Sequence, residues 1–113
     1  MRRNYEILDG HVMIFARKEF FSGEQLFRNY SRRTGMRTEH LEDIDIHGTG
    51  SSIDEMCKSA MEDLRRVVNT YKADVVVIRN ESHPTKFREF IYNLFRYEGN
   101  YPYEATAELY RRN

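Results

Sequence analysis

Residues 52–78 read SIDEMCKSAMEDLRRVVNTYKADVVVI and carry the clearest structural signal in the chain. Apolar side chains within Ile53–Tyr71 recur at spacings of three and four, which places them on one face of a helix. Ser52 and Glu55 form a capping-box pattern in front of that helix. Residues 73–78 are mostly β-branched, which indicates a strand covered on both faces. The segment therefore predicts a capped amphipathic helix followed by a buried strand.

A half-buried strand is predicted just upstream of this helix. Ile44 and Ile46 point to one side of the alternating segment 42–47, while Asp43, Asp45 and His47 point to the other. Strand, helix and strand together form a βαβ pattern, in which the two strands are parallel and the crossover is right-handed. We therefore expect the strands that end near His47 and Ile78 to be parallel neighbours.

The N-terminal third predicts a hairpin and a second helix. Two apolar runs, residues 5–8 and 11–16, flank Asp9-Gly10, a pair that suits a type I′ turn. Residues 21–33 then show helical periodicity, with Ser22 as the N-cap, Gln25 at the capping-box position and Gly35 as the stop.

The C-terminal third predicts a further helix and a last strand. Pro84 suits the first turn of a helix, residues 87–95 carry an apolar stripe, and Gly99 ends the pattern. Residues 103–110 alternate, and the small side chains of Ala105 and Ala107 would let a helix approach closely.

These elements predict an α+β fold in the order ββαβαβαβ. We expect a two- or three-layer sandwich, with a mixed sheet of about five strands and three helices, in a single domain spanning residues 1–113. The 40% hydrophobic fraction, with eight Tyr and seven Phe, supplies enough apolar side chains for a core that needs no disulfide bond or structural metal.

Charge and cysteine content narrow the class of protein. The 18 basic residues balance the 18 acidic ones, whereas a nucleic-acid binder usually shows a basic excess. The single cysteine, Cys57, cannot form an internal disulfide, and we expect it to be a small buried hydrophobe on the helix face. Because no run approaches about 18 apolar residues, we expect no membrane partner and a cytoplasmic protein.

Polar residues follow both strands of the predicted βαβ unit. Open α/β sheets place ligands at the carboxyl ends of their strands, so this edge is a candidate site for an anion or another small ligand. A His–Glu pair there could move protons, and an arginine could hold an anion. The candidate ligand-binding residues are His47, Thr49, Ser51, Arg79, Glu81 and His83.

Two neighbouring patterns have weaker functional interpretations. The glycine-rich turn 48–52 precedes a helix N-terminus and could receive a phosphate, although it lacks the lysine and third glycine of the known phosphate-binding loops. Asp43, Asp45 and His47 could ligate a divalent metal. An ordinary loop and a solvated strand face explain both patterns more simply, so we predict no metal, no cofactor and no catalytic residue.

Surplus tyrosines and paired arginines suggest macromolecular partners. Exposed tyrosines are typical of protein interfaces, and the candidate interface residues are Tyr92, Tyr97, Tyr101 and Tyr103. The scattered arginines could contact RNA, but acidic neighbours accompany most of them. They are Arg2, Arg3, Arg32, Arg33, Arg37, Arg65, Arg66, Arg111 and Arg112.

The sequence thus leaves three hypotheses open. The first is a non-catalytic protein-interaction or oligomerisation module, such as a homodimer. The second is a small-molecule or anion binder, or an enzyme, at the strand-end edge. The third is an RNA-binding module. We rank them in that order because no catalytic signature is present, and an enzyme is therefore not favoured.

Overall fold

The computed structural model describes residues 4–84 and 100–113. These residues form five strands and two helices in the order ββαβαββ. The strands are β1 (Glu6–Leu8), β2 (Val12–Phe15), β3 (Thr38–Gly50), β4 (Val75–Ser82) and β5 (Tyr101–Arg112). The helices are α1 (Gly23–Thr34) and α2 (Ile53–Tyr71).

Local signals in the sequence set the boundaries of both helices and of the hairpin. Ser22 caps α1 in a capping box with Gln25, and Gly35 ends that helix at a φ of 69°. The β1–β2 turn has positive φ at both Asp9 and Gly10, as a type I′ turn requires. Helix α2 begins after Ser52, whose hydroxyl accepts the Glu55 N–H. The two N-caps, the capping box of α1, the stop at Gly35 and the turn are therefore confirmed. The predicted capping box of α2 is formed only in part, because the Glu55 carboxylate accepts from the Ser51 N–H.

The five strands form one mixed sheet in the order β1-β2-β4-β5-β3. Strand β1 is antiparallel to β2, and β2 is parallel to β4. Strand β5 lies between β4 and β3 and is antiparallel to both. Strands β3 and β4 therefore run in the same direction, but the prediction that they are neighbours is wrong.

The position of β5 explains this correction. Its register with β3 extends from Tyr101 opposite Gly50 to Arg112 opposite Thr38, so the two strands pair along their whole length. Ala105 and Ala107 are fully buried beneath α2, where larger side chains would hold the helix away from the sheet. Such pairing between distant segments is not encoded in the strand–helix–strand pattern itself.

The predicted count of three helices is also wrong, because the described part of the chain contains two. The segment after Pro84 that the sequence predicts to be a third helix lies outside the described residues. The α+β sandwich architecture itself agrees with the structure.

The two helices cover opposite faces of the sheet. Helix α1 packs on β2 and β4, where Leu26, Phe27 and Tyr30 meet Met13, Phe15, Val75 and Val77. Helix α2 packs on β3 and β5, where Leu64, Val67 and Val68 meet Ile46, Ala105, Ala107 and Leu109. Strand β2 is buried on both faces, as its pattern predicts. The result is a three-layer arrangement in which each helix covers only part of its face.

Helix α2 also seals the outer edge of the sheet. Strand β3 is the last strand, so alternate N–H groups point away from β5 and need other partners. Helix α2 supplies these partners from side chains four residues apart, one for every second residue of β3. Two strand residues span about 6.6 Å and four helical residues about 6.0 Å, so the spacing along the helix nearly matches the spacing along the strand. The three hydrogen bonds run from His47 N–H to Asp63 (2.9 Å), Thr49 N–H to Ser59 (3.2 Å) and Ser51 N–H to Glu55 (2.9 Å).

Two glycines permit this close approach. A Cβ atom at Gly48 would lie 2.5 Å from the Ala60 nitrogen and 2.7 Å from the Met56 carbonyl oxygen. A Cβ atom at Gly50 would lie 2.6 Å from the Cβ of Glu55. The segment 48–50 is therefore the end of β3 under a helix, whereas the sequence predicts a loop there.

We expect the variant Gly48→Ala to lose about 1–3 kcal/mol of unfolding free energy. The reason is that the added methyl group overlaps backbone atoms of α2, which cannot move without displacing the helix. Chemical denaturation monitored by circular dichroism measures the loss. The control Thr49→Ala changes an exposed side chain of the same strand and should cost less than about 1 kcal/mol. Equal stability of the two variants would contradict the close packing of α2 on β3.

Asp63 makes this edge contact sensitive to acid. Burial opposes ionisation of Asp63, but hydrogen bonds from the His47 N–H and from Arg66 outweigh it and lower the pKa from 3.8. An aspartate with a lowered pKa stabilises the fold above its unfolded pKa and loses that effect as the pH falls through its folded pKa.

We therefore expect Asp63→Asn to be less stable than the wild type by a constant amount between pH 5 and pH 7, on the order of 1 kcal/mol. Below about pH 4 the difference should shrink toward zero. Urea denaturation across this pH range measures it. Glu62→Gln, at an exposed neighbouring position, is the control and should track the wild type throughout. A difference for Asp63→Asn that does not change with pH would rule out the ionic contribution.

Candidate functional site

A bulge in β4 determines which face of the sheet its last side chains reach. Arg79 is opposite Thr106, and Ser82 is opposite Glu104. Between these two pairs β4 therefore contains one residue more than β5, which is a β-bulge. Asn80 has a φ of 53°, a left-handed conformation that asparagine tolerates better than most residues. Arg79 and Glu81 consequently lie on opposite faces, whereas residues two apart in a regular strand share a face.

Glu81, Tyr103 and His83 form a polar group on the α2 face, here called the Glu81 cluster. The Tyr103 hydroxyl donates to Glu81 Oε2 at 2.7 Å, and His83 Nε2 lies 3.4 Å from Glu81 Oε1. The His83 ring stacks on the Tyr103 ring with centroids 5.7 Å apart. Partial burial, together with the bond to Glu81, raises the pKa of Tyr103 well above its usual range, so the phenol remains a hydrogen-bond donor. Both carboxylate oxygens of Glu81 thus have a partner.

An apolar groove of about 250 Å³ adjoins the Glu81 cluster. It lies where α2, displaced toward β3 and β5, leaves part of the sheet uncovered near the carboxyl ends of β2 and β4. Apolar side chains form most of its walls, and carboxylates and the Tyr103 phenol supply the polar atoms. The described lining residues are Glu6, Ile14, Ala16, Ile46, Cys57, Ala60, Met61, Leu64, Ile78, Glu81 and Tyr103.

Cys57 belongs to this groove and is exposed, so the expectation that it is buried is wrong. The apolar stripe of α2 is wider than the strip of sheet that the helix covers. Cys57 and Met61, one helical turn apart, lie on the uncovered flank, and Met61 is 38% exposed. Their spacing in the sequence identifies the helix face but not its displacement across the sheet.

The structure brings together only two of the six predicted ligand-binding residues, Glu81 and His83. His47 lies on β3, beyond β5, with a 63% exposed side chain 3.7 Å from Glu104. The backbone N–H groups of Thr49 and Ser51 are bonded to side chains of α2. These two backbone donors are therefore not available to an anion at this turn.

Arg79 belongs to a charged network on the α1 face. Its guanidinium lies 3.0 Å from Asp43 and 3.3 Å from Glu108. Asp43 also contacts His40 at 2.7 Å, and Asp45 accepts a hydrogen bond from Thr106. The aspartates of β3 are thus already paired with neighbouring side chains. Across residues 4–84 and 100–113, no group of three potential ligand side chains is placed to hold a metal ion.

The four candidate interface tyrosines differ in where the structure places them. Tyr101 is 2% exposed and therefore contributes to the core. Tyr103 is half-buried and bonded within the Glu81 cluster. Tyr92 and Tyr97 lie outside the described residues. The large aromatic side chains that the described surface does expose are Phe20, at the tip of a tight turn and 89% exposed, and its neighbour Phe21, which is 50% exposed.

Comparisons with known proteins identify no relative. No protein-family model, no curated protein and no solved structure matches the chain. In the part of the chain that the structure describes, neither helix has the length and apolar character needed to cross a membrane.

The bulge at Asn80 can be tested by substitution. We expect Asn80→Val to lose about 1–3 kcal/mol of unfolding free energy, because a β-branched residue resists the left-handed conformation. Asn80→Gly accepts that conformation and should stay within about 0.5 kcal/mol of the wild type. Urea denaturation at neutral pH compares the two variants. If valine were tolerated as well as glycine, the bulge would not be required at this position.

Proposed function

We propose that this protein is a small-ligand-binding module whose site is the groove beside the Glu81 cluster. The observation that carries the proposal is the combination of an apolar cavity with a hydrogen-bonded polar group at its side. Ligand sites generally combine apolar walls with a few convergent polar groups that orient the ligand. The groove also lies near the carboxyl ends of two parallel strands, where open α/β sheets bind ligands.

The dimensions of the groove limit the size of the ligand. Its volume of about 250 Å³ is slightly below the range of roughly 300–1,000 Å³ that holds drug-sized molecules. A ligand smaller than a typical drug, with one apolar end and one polar end, fits this space. The apolar end would contact Ile14, Ile78 and Met61, and the polar end would reach Glu81 and Tyr103.

The Glu81 cluster favours binding over catalysis. Glu81 and His83 are groups that can exchange protons, but each already interacts with a fixed neighbour. The raised pKa of Tyr103 keeps its proton on the phenol. The cluster therefore offers directional hydrogen bonds and negative charge.

The structure supports the other two hypotheses less well. A tyrosine-mediated interface or homodimer stays a prediction, since Tyr101 is buried and Tyr103 is engaged in the groove. RNA binding also stays a prediction. Of the arginines named for RNA contact, Arg65 is paired with Asp9 and Arg66 with Asp63, which favours structural roles for these two.

The lone cysteine provides a direct assay of the groove. We expect a panel of eight-carbon amphiphiles, kept below their micellar concentrations, to contain molecules that slow alkylation of the Cys57 thiol by iodoacetamide. The reason is that Cys57 lines the groove and is the one thiol of the chain. The same molecules should raise the melting temperature, since saturation at a hundred times Kd adds about 2.7 kcal/mol.

A groove-filling variant controls this assay. Ala16→Trp places an indole in the groove and should abolish both the protection of Cys57 and the thermal shift. Thr49→Trp adds the same group at an exposed position of β3 and should preserve both. If none of the amphiphiles protects Cys57, or if Ala16→Trp binds them unchanged, the groove is not the binding site.

A further inference from the structure

The charged side chains that line the groove are all acidic among the residues that the structure describes. Among the described lining residues, the ionisable acids are Glu6 and Glu81, and neither lysine nor arginine is present. Glu6 has a 78% exposed side chain and lies 4.0 Å from Lys18, so water and that lysine moderate its charge. Glu81 has a 31% exposed side chain and is closer to the apolar walls. Of these two carboxylates, Glu81 is therefore the less hydrated, and water screens its charge less.

The hydrogen bond from Tyr103 leaves the negative charge of Glu81 in place. The Tyr103 hydroxyl donates to one carboxylate oxygen without cancelling its charge. The second neighbour, His83, is exposed and lies 3.4 Å away, and it is a cation only when protonated. With a neutral imidazole, a partly buried carboxylate beside apolar walls is more favourable when a cation approaches it. Because the described lining residues include no lysine or arginine, a cationic ligand would supply this charge.

We propose that the groove selects apolar amines, that is, molecules with an ammonium head and a hydrocarbon or aromatic tail. This inference rests on the proposed function and specifies the chemical class of its ligand. The ammonium group lies against Glu81, beside Tyr103, and the tail occupies the apolar floor formed by Ile14 and Ile78. A carboxylate ligand is rejected, because its charge would face Glu81 and Glu6 without a basic partner among the described lining residues.

Three probes of equal length separate the ligand class from the existence of the site. Octylamine, 1-octanol and octanoate share the same tail and differ in the charge of their heads at pH 7.5. Their dissociation constants are measured by protection of Cys57 from iodoacetamide and by thermal shift, on the full chain. We expect octylamine to bind about tenfold more tightly than 1-octanol, because its ammonium group adds the attraction of opposite charges to the hydrogen bond that either head group can donate to Glu81. Octanoate should bind more weakly than 1-octanol.

Substitution of Glu81 assigns the selectivity to this carboxylate. Glu81→Gln keeps the size of the side chain and an oxygen that can accept from Tyr103, so the fold should be preserved. We expect it to weaken octylamine binding about tenfold, while 1-octanol binding changes less than twofold. Glu62→Gln removes one exposed carboxylate from another part of α2 and should leave all three constants unchanged.

Each failure has a separate meaning. If none of the three probes protects Cys57, the groove does not bind small ligands, and the proposed function is refuted together with the ligand class. If 1-octanol or octanoate binds as tightly as octylamine, the site exists but does not select amines. If octylamine is preferred and Glu81→Gln leaves that preference intact, the assignment to Glu81 is overturned.

Discussion

The seal between helix α2 and the edge of strand β3 is the contact on which the arrangement of the sheet depends. An edge strand exposes unpaired N–H groups, and proteins protect such edges with charge, bulges or a covering element. Here three side chains of one helix, Glu55, Ser59 and Asp63, accept the hydrogen bonds that a further strand would otherwise take. Because Gly48 removes the steric barrier, the helix can approach β3 closely enough for those bonds to form.

The uncovered groove follows from the position of this helix. A helix has a diameter of about 10 Å and covers roughly two strands that lie about 4.8 Å apart. Since α2 is held over β3 and β5, its far flank carries Cys57 and Met61 at the border of the uncovered sheet. A helix placed over the centre of the sheet would bury those side chains and close the groove. The seal at one edge and the cavity near the other strands are thus consequences of the same displacement.

The sequence predicts those features of the fold whose signals lie within a few neighbouring residues. It does not predict the features that depend on the pairing of distant strands. The caps at Ser22 and Ser52 and the turn at Asp9-Gly10 are encoded within a few residues. By contrast, the position of β5 between β3 and β4 depends on segments more than fifty residues apart. The glycines at 48 and 50 predict a loop because the sequence alone does not show which helix approaches them.

The candidate site shows the same limit at the level of single residues. In a regular strand Arg79 and Glu81 would share one face, but one bulge residue, Asn80, places them on opposite faces. Arg79 therefore enters a network with Asp43 and Glu108, while Glu81 faces the groove and meets Tyr103. Had Arg79 shared the face of Glu81, it would have neutralised that carboxylate. The bulge separates the two charges, and this separation leaves a negatively charged group beside an apolar cavity.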